Sequence, residues 1–123
     1  MAYDYFKSDL SKRSYKFALD IISFMKFFKE NDFAIQILLR QLLRCATSIG
    51  ANITEAQASS SKREFKNFYS YSLKSANECV FWLNLLQDSQ KINCQKLIQE
   101  TKEIASMLAS SLMTLKGKRS ASY

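Results

Sequence analysis

No proline and only two glycines, Gly50 and Gly117, interrupt these 123 residues. Those residue types are the strongest breakers of regular structure, so a chain this poor in them can be divided only by short polar clusters. Three such clusters stand out, "NDF" from Asn31, "ASSSK" from Ala58 and "DSQKINCQ" from Asp88. They cut the chain into four long segments.

Each segment carries apolar residues at helical spacing. In the first, Tyr15, Ala18, Ile22 and Met25 form one stripe and Phe17, Ile21, Phe24 and Phe28 the next, giving a broad apolar face. The second, with Asn31 or Asp32 as its cap, runs through Ile35, Leu38, Leu42, Cys45, Ile49 and Ala56, with Asn52 filling the one gap. Ser61 and Glu64 have capping-box spacing and open a third helix, whose seam is Phe65, Tyr69, Ser72, Ala76, Cys79, Leu83 and Leu86. The fourth runs through Leu97, Thr101, Ile104, Leu108, Leu112 and Leu115. The spacing predicts helices over about 11–31, 32–59, 61–90 and 93–116, followed by a basic tail at 117–123. Four helices on short loops make an all-α, antiparallel up-down-up-down bundle, with residues 1–123 as a single domain.

Several functions lose their chemistry at this stage. The chain has no histidine, and so lacks the commonest general base and metal ligand. Cys45, Cys79 and Cys94 are odd in number and lack metal-ligand spacing, which points to reduced thiols rather than a disulfide framework or a zinc site. No cofactor, no metal and no enzymatic activity are expected. Apolar runs such as "VFWL", Val80 to Leu83, fall far short of the roughly 20 residues a membrane span needs. The N-terminus carries acids at Asp4 and Asp9 and no apolar core flanked by a small-residue cleavage site, so it does not read as a signal peptide and a cytoplasmic location is expected.

A turn centred near residue 60 would give antiparallel neighbours whose numbers sum to about 120. Glu78 then lies level with Arg44 or Arg40 and should pair with one of them. Asn52 faces Phe68 and Glu55 faces the start of the third helix. Asn52 in an apolar seam should hydrogen-bond across the bundle or to a helix end, because leaving it unpaired would cost roughly 1–3 kcal/mol. Gly50 would allow two backbones to approach closely, offsetting its penalty of about 1 kcal/mol within a helix.

The stretch "LLRCATSIGANITEAQASSSKREFKNFYSYSLKSANECVFWL", Leu42 to Leu83, resembles the 23S rRNA intervening-sequence protein family of bacterial four-helix bundles. Arg44, Ala46, Ser48, Ile49, Asn52, Ile53 and Glu55 match the first motif run of that family. Ser61, Glu64, Phe65 and Phe68 match its second, and Ser75 and Glu78 its third. Ala56 and Lys74 stand where the family usually has glycine. The resemblance implies a homo-oligomer, typically a five-subunit ring, and extends to the accessory proteins of diversity-generating retroelements, which assist a reverse transcriptase. It implies no known reaction.

The residues themselves give the bundle two unlike ends. One collects Lys12, Arg13, Lys16, Lys62, Arg63, Lys66, Lys116, Lys118 and Arg119, half of the 18 basic residues. Set against Glu55 and Glu64, this end holds a charge equal to the chain's whole net charge of +7. A positive field of that kind suits the phosphate backbone of RNA or DNA, read with little sequence preference. The other end is rich in apolar residues on most sides, with Phe27, Phe33, Leu39 and Trp82 as candidate oligomer contacts. The first functional expectation is therefore a non-enzymatic, nucleic-acid-binding homo-oligomer. The alternative is a protein-interaction adaptor, for example the accessory subunit of a reverse transcriptase.

Overall fold

The computed structural model describes residues 2–29 and 32–117, apart from the side chains of Tyr3 and Asp4. After one 3-10 turn at Ala2–Tyr5 come four helices: α1 (Asp9–Met25), α2 (Phe33–Gln57), α3 (Lys62–Gln90) and α4 (Gln95–Leu115). Each packs against the next and α1 closes onto α4, the ring of antiparallel neighbours expected of a four-helix bundle. No strand occurs among the described residues.

Short polar side chains set the helix starts. Asp32 accepts the amide proton of Ile35 at 3.1 Å, and Ser61 that of Glu64 at 3.1 Å. At α1 the cap is Ser8, which accepts from the Ser11 amide at 3.0 Å, so the helix begins at Asp9 rather than Ser11. The start of α4 has no side-chain cap from Cys94; instead Asn93 Oδ1 accepts the Gln95 amide at 2.9 Å, and Gln87 Oε1 of α3 accepts the Cys94 amide at 2.8 Å.

The end of α1 departs from expectation. The helix stops at Met25, well before residue 31, because its last amides switch to the tighter i to i−3 pattern: Lys26 to Ser23, Phe27 to Phe24 and Phe28 to Met25, each at 3.2 Å. That tightening sets the Phe28 ring edge-on against Phe24, with centroids 5.1 Å apart.

One continuous core runs through all four helices, with Phe17, Ile21, Leu42, Ile53, Leu83, Leu86, Ile104 and Leu108 fully enclosed. Each such side chain contributes roughly 1.5–3 kcal/mol on burial. The few buried hydroxyls are satisfied locally: Ser72 donates to Ile49 O at 2.8 Å, Thr101 to Leu97 O at 2.6 Å and Ser14 to Ser11 O at 2.9 Å. Gly50 makes room for a side chain rather than for a second backbone, since a Cβ there would lie 3.3 Å from Ser14 Oγ on α1 and 3.8 Å from the nearest backbone atom of that helix.

Polar contacts fix the register of α2 on α3. Arg44 pairs with Glu78, Ser75 Oγ donates to Ser48 Oγ at 2.9 Å, and Ser72 reaches Ile49. These partners follow the expected antiparallel register with its centre about one residue later. Of the two candidate arginines, Arg44 is the partner of Glu78. Asn52 corrects the expectation of a bond across the bundle or to a helix end. Its Nδ2 turns back one helical turn to Ser48 O and Ser48 Oγ, both at 2.9 Å, so it reaches α3 only through the Ser48 hydroxyl.

Candidate nucleic-acid interface

The turn between α2 and α3 is built from serines. Ser59 donates to Ala56 O at 2.6 Å, and Ser60 reaches the Glu64 carboxylate at 3.4 Å. With Ser61 as the cap, the next residues, Lys62, Arg63 and Lys66, fall in the first turns of α3. Lys62 and Arg63 are exposed, Lys66 is partly so, and none of the three joins an ion pair among the described residues. A shallow depression lined by Ser59, Ser60, Ser61, Lys62, Phe65 and Leu115 links this turn to the last turn of α4, where Lys116 is exposed.

The predicted basic cluster does not assemble as a whole. Arg13 is drawn along the flank of the bundle, where its Nε donates to Glu100 at 3.0 Å and its Nη2 reaches Glu103 at 2.8 Å. Those hydrogen bonds raise the Arg13 pKa above its ordinary value, so its charge is fixed and committed to carboxylates. Lys16 pairs with Asp20 one turn on, at 3.0 Å. Both residues leave the set of free cations for that reason. Lys12 is exposed at the start of α1, and Lys118 and Arg119 lie outside the described residues.

Of the aromatic residues near the lysines, Phe65 is half-buried and lines the same depression as Lys62. Tyr69 is buried beneath Phe65, with ring centroids 4.4 Å apart, and burial raises its pKa. Glu55 is exposed and, among the described residues, makes no side-chain hydrogen bond or ion pair with the motif residues Arg44, Ser48, Asn52, Ser75 and Glu78.

At the far end, Phe27 is 87% exposed and Phe33 81%, with Ile37, Phe81 and Leu85 also open. Trp82 is half-buried, its indole Nε1 donating to Glu78 Oε2 at 2.9 Å, which ties it to the Arg44–Glu78 pair. Leu39 must be removed from the candidate interface. It is 1% exposed and belongs to the bundle's own core. A second apolar surface is a groove between α1 and α2, floored by Gly50, Ala51 and Ala18 and walled by Phe6, Tyr15 and Ile22.

Sequence reasoning missed one relationship. Cys45 and Cys79 are buried with their sulfurs 2.9 Å apart. The signal was present, since Cys45 follows Arg44 and Cys79 follows Glu78, so a register that pairs the charges also pairs the thiols.

The sequence profile of the 23S rRNA-intervening sequence proteins matches residues 7–110. The chain belongs to that family. A crystal structure from the S23 ribosomal protein family of Bacteroides thetaiotaomicron, described as a protein of unknown function, superposes on this member with a TM-score of 0.76 and 33% sequence identity. The match covers 84% of this chain and 97% of that one. Comparison with curated proteins finds no significant match. The 23S rRNA-intervening sequence profile thus spans the basic turn, the motif seam and the aromatic end alike, and this member has no helix long and apolar enough to cross a membrane among its described residues.

Proposed function

We propose that the protein is a basic, non-enzymatic bundle that assembles with copies of itself and binds the phosphate backbone of RNA or DNA with little sequence preference. The observation that carries this reading is the trio Lys62, Arg63 and Lys66, cations without ion-pair partners among the described residues at the N-terminal end of α3. The dipole of a helix disfavours positive charge at its N-terminus, so Lys62 and Arg63 weaken the helix they begin. A phosphate group reverses the sign of that interaction, because it meets both the side-chain cations and the unbonded amides of the first turn. Repetition of this end in an oligomer, a five-subunit ring by the family resemblance, would multiply the contacts.

The decisive experiment is binding of unrelated single- and double-stranded RNA and DNA oligomers across a salt series. The native protein is compared with the triple variant Lys62→Gln, Arg63→Gln, Lys66→Gln. Affinity should fall about equally for all sequences, and the salt slope should become shallower by roughly 0.7–0.9 for each lost phosphate contact. Unchanged affinity and slope in a folded variant would reject the reading.

A second reading, a protein-interaction adaptor such as the accessory subunit of a reverse transcriptase, is favoured by the exposed Phe27, Phe33 and Phe81. In that case a different protein covers the aromatic end, and the protein alone would show a monomeric mass.

A further inference from the structure

The sulfurs of Cys45 on α2 and Cys79 on α3 lie 2.9 Å apart, less than 1 Å beyond the roughly 2.05 Å of a disulfide bond. Both residues are fully buried at the centre of the helix pair. Cys45 spends its proton on the main-chain oxygen of Leu42, at 3.3 Å, which leaves its sulfur to accept from Cys79. That hydrogen bond, followed by burial, raises the Cys79 pKa. Cys94, the third cysteine, is also buried and stands alone at the start of α4.

We propose that Cys45 and Cys79 form a redox pair that closes into an intramolecular disulfide when the protein meets a peroxide, joining α2 covalently to α3. One thiol, as its thiolate, attacks the O–O bond of hydrogen peroxide and becomes a sulfenic acid, and the first water leaves. The second sulfur then displaces the sulfenic hydroxyl as a second water, forming the S–S bond. Two thiols lose two protons and two electrons, and one peroxide is reduced to two waters. The enclosure of both sulfurs selects a small oxidant and makes the step slow, since thiolate formation awaits a transient loosening of the two helices. Cross-linking closes a loop that contains the whole α2–α3 turn, including Lys62, Arg63 and Lys66, so oxidation stiffens the hairpin that bears them.

The test exposes the folded full-length protein to hydrogen peroxide, blocks remaining thiols with iodoacetamide and maps the peptides by mass spectrometry. The expected result is a loss of about 2 Da in intact mass and a peptide linking Cys45 to Cys79. The melting midpoint should rise by on the order of 10 °C and return on treatment with a phosphine reductant. A Cys94→Ala variant, which leaves the pair intact, should behave identically, whereas Cys79→Ala should give no linked peptide. If Cys79→Ala fails to fold, the Cys94→Ala result decides by itself. Stepwise oxygen addition at Cys45 or Cys79, a link that requires Cys94, or thiols that stay unmodified until the protein unfolds would each overturn the proposal.

Discussion

Arg13 on α1 holds both Glu100 and Glu103 on α4, and its Nη1 lies 3.5 Å from the sulfur of Met107 on the same helix. One guanidinium thus spans two turns of α4 and fastens the first helix of the chain to the last. All three charged groups keep some contact with water, which limits what the clamp can contribute.

Replacing Arg13 with methionine should lower stability by roughly 1 kcal/mol, measured by urea unfolding at neutral pH. The loss should shrink in high salt. The Glu103 pKa is lowered, first by its hydrogen bond from Arg13 and then by that from Gln99. A lowered carboxylate pKa in the folded state gives stability that is present above the ordinary value of 4.5 and lost as pH falls through the folded value. Below that point the difference between native and Arg13→Met protein should therefore narrow.

Changing Lys62 and Arg63 to glutamate should move stability and binding in opposite directions. Acidic residues in the first turn suit the helix dipole, so each substitution should raise stability by roughly 0.3–1 kcal/mol. Nucleic-acid binding should be lost. Thermal melts and a filter-binding assay on the same preparation would show both effects.

At the aromatic end, Phe27→Ser with Phe33→Ser should lower the solution mass measured by light scattering while leaving the helical circular dichroism intact. Leu39→Ala should behave differently, costing roughly 2–5 kcal/mol because it leaves a cavity within each bundle.

Ser72 is fully buried against Ile49, and a valine there would force a branched apolar group into a packed helix contact and leave a backbone oxygen without its second donor. The expected cost is roughly 1–3 kcal/mol, read from chemical denaturation.

The four-helix layout and the Arg44–Glu78 pair were legible in the sequence because the apolar seams of α2 and α3 run for many turns and fix both rotation and register. Leu39 was misread because the first half of α2 is apolar on most sides, so its pattern does not say which stripe faces inward. Arg13 was misread for another reason. Its partners lie on α4, 87 and 90 residues away, and no local pattern reports how α1 is rotated against that helix. The early end of α1 had no glycine or proline to announce it.

The Arg13 clamp also bears on the order of events in time. Bonds between α2 and α3 join residues 23 to 34 apart in the chain, whereas those between α1 and α4 join residues 87 to 94 apart. Short loops close at lower entropic cost, so the α2–α3 hairpin is expected to assemble first and the contact between α1 and α4 to close last. Because α1 packs least extensively on its neighbours, its amides should exchange with deuterium soonest in the intact protein, and slow exchange throughout α1 would contradict that expectation. Nascent chains would then display the basic turn on a formed hairpin before the clamp between the first and last helices can close.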